Sequence, residues 1–116
     1  MEDLWPAHLE DCRVIRPAGE LDVATALDFS ALLRGIAPDA GADWLIVDLG
    51  RVTFMGCSPL NELCRSWNQT RSTGRWTRLV YDHPSIGLVL RLMSLQQQFP
   101  RYASIDTAWR EHGGCF

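Results

Sequence analysis

Gly56-Cys57-Ser58-Pro59 sets a thiol and a hydroxyl side by side directly after a strongly apolar run, and Asp82-His83 sets a carboxylate beside an imidazole. A serine on a tight strand-to-helix turn is the arrangement of a hydrolase nucleophile. That chemistry requires glycine on both sides of the serine and a later histidine oriented by an acid, whereas here only His83 and His112 follow. No catalytic residues are expected, and the chain does not read as an enzyme. Cys57 has no neighbouring histidine or arginine to favour its thiolate and reads as a small buried residue. His83, alone in a turn before Pro84, reads as solvent-facing rather than as a metal ligand, so no metal and no cofactor are expected. What remains is the chemistry of a hydroxyl at a helix start. Such an end presents free N–H groups and roughly half a positive charge, which suits a phosphate.

The elements that place Ser58 follow from periodicity. Trp44, Leu45, Ile46, Val47, Asp48 and Leu49 form a short apolar run rich in β-favouring residues, the pattern of a strand covered on both faces. Beyond it Leu60, Leu63, Cys64 and Trp67 fall at i, i+3, i+4 and i+7, one face of a helix. Ser58 before Pro59 predicts the cap and first residue of that helix, and Ser72, Thr73 and Gly74 its end. Upstream, residues 4–9 with Pro6 predict a weak edge strand in a hairpin with Cys12–Pro17. Asp22 predicts the cap of a first helix over Val23–Ala37, with Phe29, Leu32, Leu33 and Ile36 on one face. Downstream, Trp76–Tyr81 predicts a strand, and Asp82 to Ser85 turns the chain into a third helix. Ile86, Val89, Leu90 and Met93 form one stripe of that helix, and Leu88, Leu92 and Leu95 a second. The first stripe faces the core; the second is either covered by the C-terminal segment or offered to a partner. Gln96–Gln98 fray the helix and Pro100 stops it; Tyr102–Ile105 predicts a last strand and Thr107–His112 a final helix. The order predicts an α/β fold, a single domain over residues 1–116 with a mixed, mostly parallel sheet of about five strands and about four helices.

Composition narrows the partners. At 116 residues, 47% hydrophobic and 22% charged, the chain buries a real core without a metal or disulfide staple. A net charge of -3, with arginine supplying all 11 basic residues and no lysine, argues against a nucleic-acid binder. Trp67, Trp76 and Trp109 lie in separate elements and read as core or rim packing rather than a base-stacking platform. Asp48, Arg91 and Ser94 break the apolar runs well short of a membrane span. Met1–Pro6 has no basic n-region, so a cytoplasmic location is expected, with Cys12, Cys57, Cys64 and Cys115 reduced.

At five places the residues resemble the STAS domain of bacterial anti-sigma factor antagonists. Gly19-Glu20-Leu21-Asp22 resembles the family's Gly-Glu-Leu-Asp, and Val47-Asp48-Leu49 through Val52-Thr53-Phe54 its central strand and following turn. Leu79-Val80 and Val89-Leu90-Arg91-Leu92 resemble its later strand and helix. Gly56-Cys57-Ser58-Pro59-Leu60 aligns without gaps to the family's switch motif, Asp-Ser-Ser-Gly-Leu or Asp-Cys-Ser-Gly-Leu, with Gly56 in place of Asp and Pro59 in place of Gly. The resemblance implies a protein-interaction switch in transcription regulation that binds a serine-kinase anti-sigma factor and releases a sigma factor. It implies phosphorylation at Ser58 by that kinase, with Leu60 and Asn61 offering amides to the phosphate. The implied partner surface joins Asp22, the turn Gly56, Cys57, Ser58 and Pro59, the helix start at Leu60 and Asn61, and the stripe of Leu88 and Leu92. Parts of the wider family suggest a second reading, a nucleotide or anion pocket or a scaffold without phosphorylation. Self-association, at most a weak homodimer, is left open.

Overall fold

The structure, a computed structural model, describes residues 12–34 and 44–110. Strands β1 (Cys12–Ile15), β3 (Trp44–Asp48), β5 (Thr77–Val80) and β6 (Arg101–Tyr102) form one parallel sheet in the order β1-β3-β5-β6. Strands β2 (Ala18–Leu21) and β4 (Arg51–Met55) form a second, two-stranded parallel sheet. Helices α1 (Ala26–Arg34), α2 (Cys57–Ser72), α3 (Pro84–Leu92) and α4 (Ile105–Arg110) complete the α/β architecture. The expected hairpin strand over residues 4–9 lies outside the described residues, as does the end of the first predicted helix, residues 35–37.

The central strand is apolar throughout because both of its faces are covered. Leu45 and Val47 point into the larger core with Phe29, Leu33, Leu60, Leu63, Leu79, Ile86, Leu90 and Phe99, whereas Ile46 points to the other face and meets Val80, Ala108 and Trp109. On that second face Trp44, Trp76 and Trp109 pack with ring centroids 5.9 to 6.5 Å apart, so these indoles are packing residues. Arg75 lies over Trp44 and Arg78 over Trp76, at 4.8 and 4.1 Å from the ring centroids. Cys64 packs beside the larger core and burial pushes its thiol up, which keeps it in the neutral form.

The small sheet arises from bends in two parallel strands. β1 runs into β2 across Arg16–Pro17, and β3 into β4 across Leu49–Gly50. Asp48 serves both bends: its Oδ1 accepts from the Gly50 amide at 2.9 Å, and its Oδ2 lies 3.5 Å from the Arg16 Nε. Asp48 is thus a backbone-bonding residue, as its position before a turn suggests. The sequence reading placed a turn at Val52-Thr53-Phe54, where the structure has β4. Val52 and Met55 are buried while Thr53 and Phe54 are exposed. A strand that buries only two residues leaves no clean alternation to detect.

Two helix ends also differ from expectation. The first helix begins at Ala26, after a turn at residues 23–25, and it buries Phe29 and Leu33 but leaves Leu32 exposed. The third stops at Leu92, well before Gln98. Ser94 takes a left-handed φ of 59° and the Leu95 amide donates to the Leu90 carbonyl at 2.8 Å. This is the backbone closure that satisfies orphan carbonyls at a helix end. It turns Leu95 inward against the core and leaves Leu88 and Leu92 on the surface. Leu90→Ala is therefore expected to cost about 2–5 kcal/mol in urea unfolding, through lost burial and a residual cavity. Leu92→Ala, at an exposed position, is expected to change stability by less than about 0.5 kcal/mol in the same measurement.

Candidate functional site

Helix α2 begins two residues earlier than the sequence suggests. Gly56 occupies the cap position with extended backbone, φ -90° and ψ -173°, and no side chain caps the helix. Ser58 is therefore not the cap but the second residue of the first turn, half-buried, with Cys57 before it fully on the surface. The expectation of a buried Cys57 is corrected by that placement. Pro59 is tolerated at the third helical position because first-turn amides have no carbonyl one turn back to bond.

The backbone around Ser58 is held from the opposite strand. The Gly56 amide donates to the Leu21 carbonyl at 2.8 Å, extending the β2–β4 pairing to the last residue before the helix. A Cβ built on Gly56 would lie 3.8 Å from the Asp22 Cα and 3.6 Å from the Phe54 ring. Asp22 thus sits beside the turn. Its own side chain is engaged locally: Oδ1 accepts from the Ala24 and Thr25 amides at 3.0 and 3.2 Å, closing the turn before α1 rather than capping a helix that starts at Val23, because α1 begins only at Ala26. Two helices, α1 and α2, accordingly start from adjacent strand ends, with Asp22 beside Gly56, two residues before Ser58.

The structure divides the expected partner surface. Asp22, Gly56, Cys57 and Ser58 come together, and Asn61 is exposed one turn on. Pro59 and Leu60 do not belong to it: both are buried, Leu60 at 1% exposure, and their side chains fill the core beneath the turn. The amide of Leu60 is also spoken for, donating to the Gly56 carbonyl at 3.3 Å, and Asn61 lies inside the helix. Helix geometry leaves the amides of Cys57 and Ser58 without an intrahelical acceptor. Leu88 and Leu92 are exposed on α3, whose first turn is tied to β4 by the Ser85 hydroxyl donating to the Thr53 carbonyl at 3.2 Å. His83 is exposed and caps that helix, with Nδ1 accepting from the Ser85 amide at 3.2 Å. The Ser85 hydroxyl also lies 2.9 Å from that Nδ1, and the neighbouring Asp82 pairs with Arg101 at 2.8 Å.

Sequence reasoning missed three side chains at this end. Val23 and Leu27 are 79% and 82% exposed, and Phe54 is 49% exposed next to Gly56. The signal was present for two of them: Val23 and Leu27 fall at i and i+4, off the face carrying Phe29 and Leu33. Phe54 was hidden by the reading of its strand as a turn.

Among the described residues no three of His, Cys, Asp or Glu gather as a metal site, and no helix is long and apolar enough to cross a membrane. Comparison with curated proteins finds no match. The fold matches solved structures. An anti-sigma factor antagonist from Mycobacterium paratuberculosis superposes with a TM-score of 0.76 at 24% identity, over 88% of this chain and 86% of the other. A structure described as a putative anti-sigma factor antagonist from Thermotoga maritima gives 0.74 at 20%, over 88% and 87%. The anti-sigma factor antagonist SpoIIAA, in its unphosphorylated form, gives 0.73 at 18%, over 93% and 94%. The family model for the STAS domain matches residues 6–108, a span that takes in both sheets, the Gly56 turn and all but the last residues of α4. With the fold and that match in agreement, the chain belongs to the STAS domain family.

Proposed function

We propose that this protein is an anti-sigma factor antagonist: it docks a serine-kinase anti-sigma factor through the Ser58 end of α2, frees the sigma factor, and is released when Ser58 is phosphorylated. The observation that carries the reading is the placement of Ser58. It is a half-buried serine in the first turn of a helix, at the position of the family's switch serine, with Asp22 of the neighbouring strand end beside the Gly56 cap. The names of the structural neighbours supply the class of partner.

Electrostatics supports the direction of the switch. Residues 17–33 carry Glu20, Asp22 and Asp28 and no arginine, and residues 52–64 carry Glu62 and no arginine. A phosphoserine adds roughly -1.5 to -2 charges. At this end of the molecule it meets carboxylates and finds the Cys57 and Ser58 amides as its backbone donors. In a closed interface it also loses its water, and repulsion together with desolvation separates the complex.

The two departures from the family motif have separate consequences. Pro59 withholds one first-turn amide from the phosphate but leaves the helix intact. Gly56 stands at the cap, where an aspartate would accept first-turn amides. Gly56→Asp fits sterically, since the nearest atom to the added Cβ is 3.6 Å away. It is expected to raise stability by a few tenths of a kcal/mol, about 0.3, in chemical unfolding. It also places a carboxylate against any phosphate on Ser58.

The function is tested by affinity capture of the tagged protein from its own cells, with mass mapping of the captured chain. A kinase-fold anti-sigma factor is expected with the unchanged protein and with Ser58→Ala. Ser58→Asp is expected to lower its recovery by about ten-fold or more, the scale of a charge buried without a partner in an interface. Recovery of the same anti-sigma factor in equal amounts with Ser58→Asp, or no such factor in any sample, would overturn the reading.

A further inference from the structure

Beside Ser58 lies an apolar ridge whose charge surroundings define what binds it. Val23 and Leu27 project from the turn and first helix residues that follow Asp22, and Phe54 stands next to Gly56. Single exposed apolar residues need no explanation, but three large ones around one backbone contact form a patch. Ser30, Leu33 and Arg34 of α1 face Glu62, Arg65, Ser66 and Gln69 of α2 across a narrow cleft. Helical spacing puts Leu27, three residues before Ser30, and Ser58, four residues before Glu62, one turn earlier on those two stripes, so Ser58 belongs to the side of α2 that faces α1.

Charge separates this patch from the other apolar surface of the molecule. Around Val23, Leu27 and Phe54 the chain offers Glu20, Asp28 and Glu62, and the first arginine along α2, Arg65, lies 3.9 Å from Glu62 as its ion-pair partner. The Leu88 and Leu92 surface has the opposite surroundings: Arg91 and Arg101 line the groove beside Leu88. The arginines collect at helix C-termini, with Arg34, Arg71 and Arg91 in the last turns of α1, α2 and α3. At the opposite end of α1 stands Asp28 in the first turn, as the helix dipole favours, and α2 carries Glu62 one turn further in.

We propose that Val23, Leu27 and Phe54 form, with the Ser58 end of α2, a docking face for a protein segment that is apolar at its centre and rich in Lys and Arg at its rim. This rests on the docking reading above for the importance of Ser58, and it adds the side of the helix and the chemistry of the partner. Leu88 and Leu92 lie outside the face. The rim attraction is screened by salt, whereas the apolar centre is not.

The test uses two helical peptides with the same leucine face, one flanked by Lys and Arg and the other by Glu, titrated into the full isotope-labelled chain and followed by amide shifts. The basic peptide is expected to shift Val23, Leu27, Phe54 and Ser58, with affinity falling about ten-fold between about 50 and about 300 mM salt. The acidic peptide is expected to leave those amides in place. Val23→Asp with Leu27→Asp, both at exposed positions, should lower affinity for the basic peptide by about ten-fold or more, and Leu88→Asp with Leu92→Asp should not. Absence of a response to the basic peptide, equal responses to both peptides, or shifts centred on Leu88 and Leu92 would each overturn this inference. Those outcomes leave the capture of an anti-sigma factor untouched, so the two readings fail separately.

Discussion

The 2.8 Å hydrogen bond from the Gly56 amide to the Leu21 carbonyl is the constraint on which the candidate site depends. It closes the β2–β4 pairing at the point where both strands hand over to helices. One strand end leads through Asp22 into α1 and the other through Gly56 into α2. A backbone contact of this kind carries no side-chain signature. It nevertheless decides that the segments leading into two helices, more than thirty residues apart in the chain, lie side by side. The small sheet itself exists because Asp48 bonds the Gly50 amide and meets Arg16, so that two parallel strands bend together instead of running on straight.

The core beneath that surface explains why the turn is rigid. Pro59 and Leu60 are buried directly under the first turn of α2, and Leu63 follows them into the cluster with Leu45, Val47 and Leu79. The first turn is thus anchored on its inner side while Cys57 and Asn61 remain in solvent. A half-buried hydroxyl between an anchored face and an open one can be reached by a partner without unfolding of the helix. Its phosphorylation would act on an interface, not on the fold, which is the property a reversible protein-interaction switch requires.

The separation of charge along the molecule links fold to recognition. Helix dipoles favour arginine at C-termini and carboxylates near N-termini, and the parallel arrangement directs several helices alike. Arg34, Arg71 and Arg91 mark the helix C-termini, while the segments around Val23, Leu27, Phe54 and Ser58 carry Glu20, Asp22, Asp28 and Glu62 and no arginine. A net charge of -3 hides that polarity completely.

Much was legible without coordinates, where a residue's role depends on its near neighbours in the chain. The apolar run Trp44–Leu49 and the 3.6-residue stripe through Leu60, Leu63 and Trp67 are local patterns, and each stands where expected; Asp22 bonds the next amides as such a residue does, but it closes a turn ahead of α1. The match of these patterns to the STAS family followed, because that family's motif sits at the same strand-to-helix turn. Other features depend on which distant segments meet. Strand β4 buries only Val52 and Met55 and is a strand because β2 lies beside it; α3 stops early because Leu95 has a core to enter. Leu60 has the place of a surface contact in the motif and is core, whereas Val23, Leu27 and Phe54 stand in solvent, Phe54 beside Gly56. Burial is a property of the assembled layers, and no window of residues contains the segment that will cover it or leave it bare.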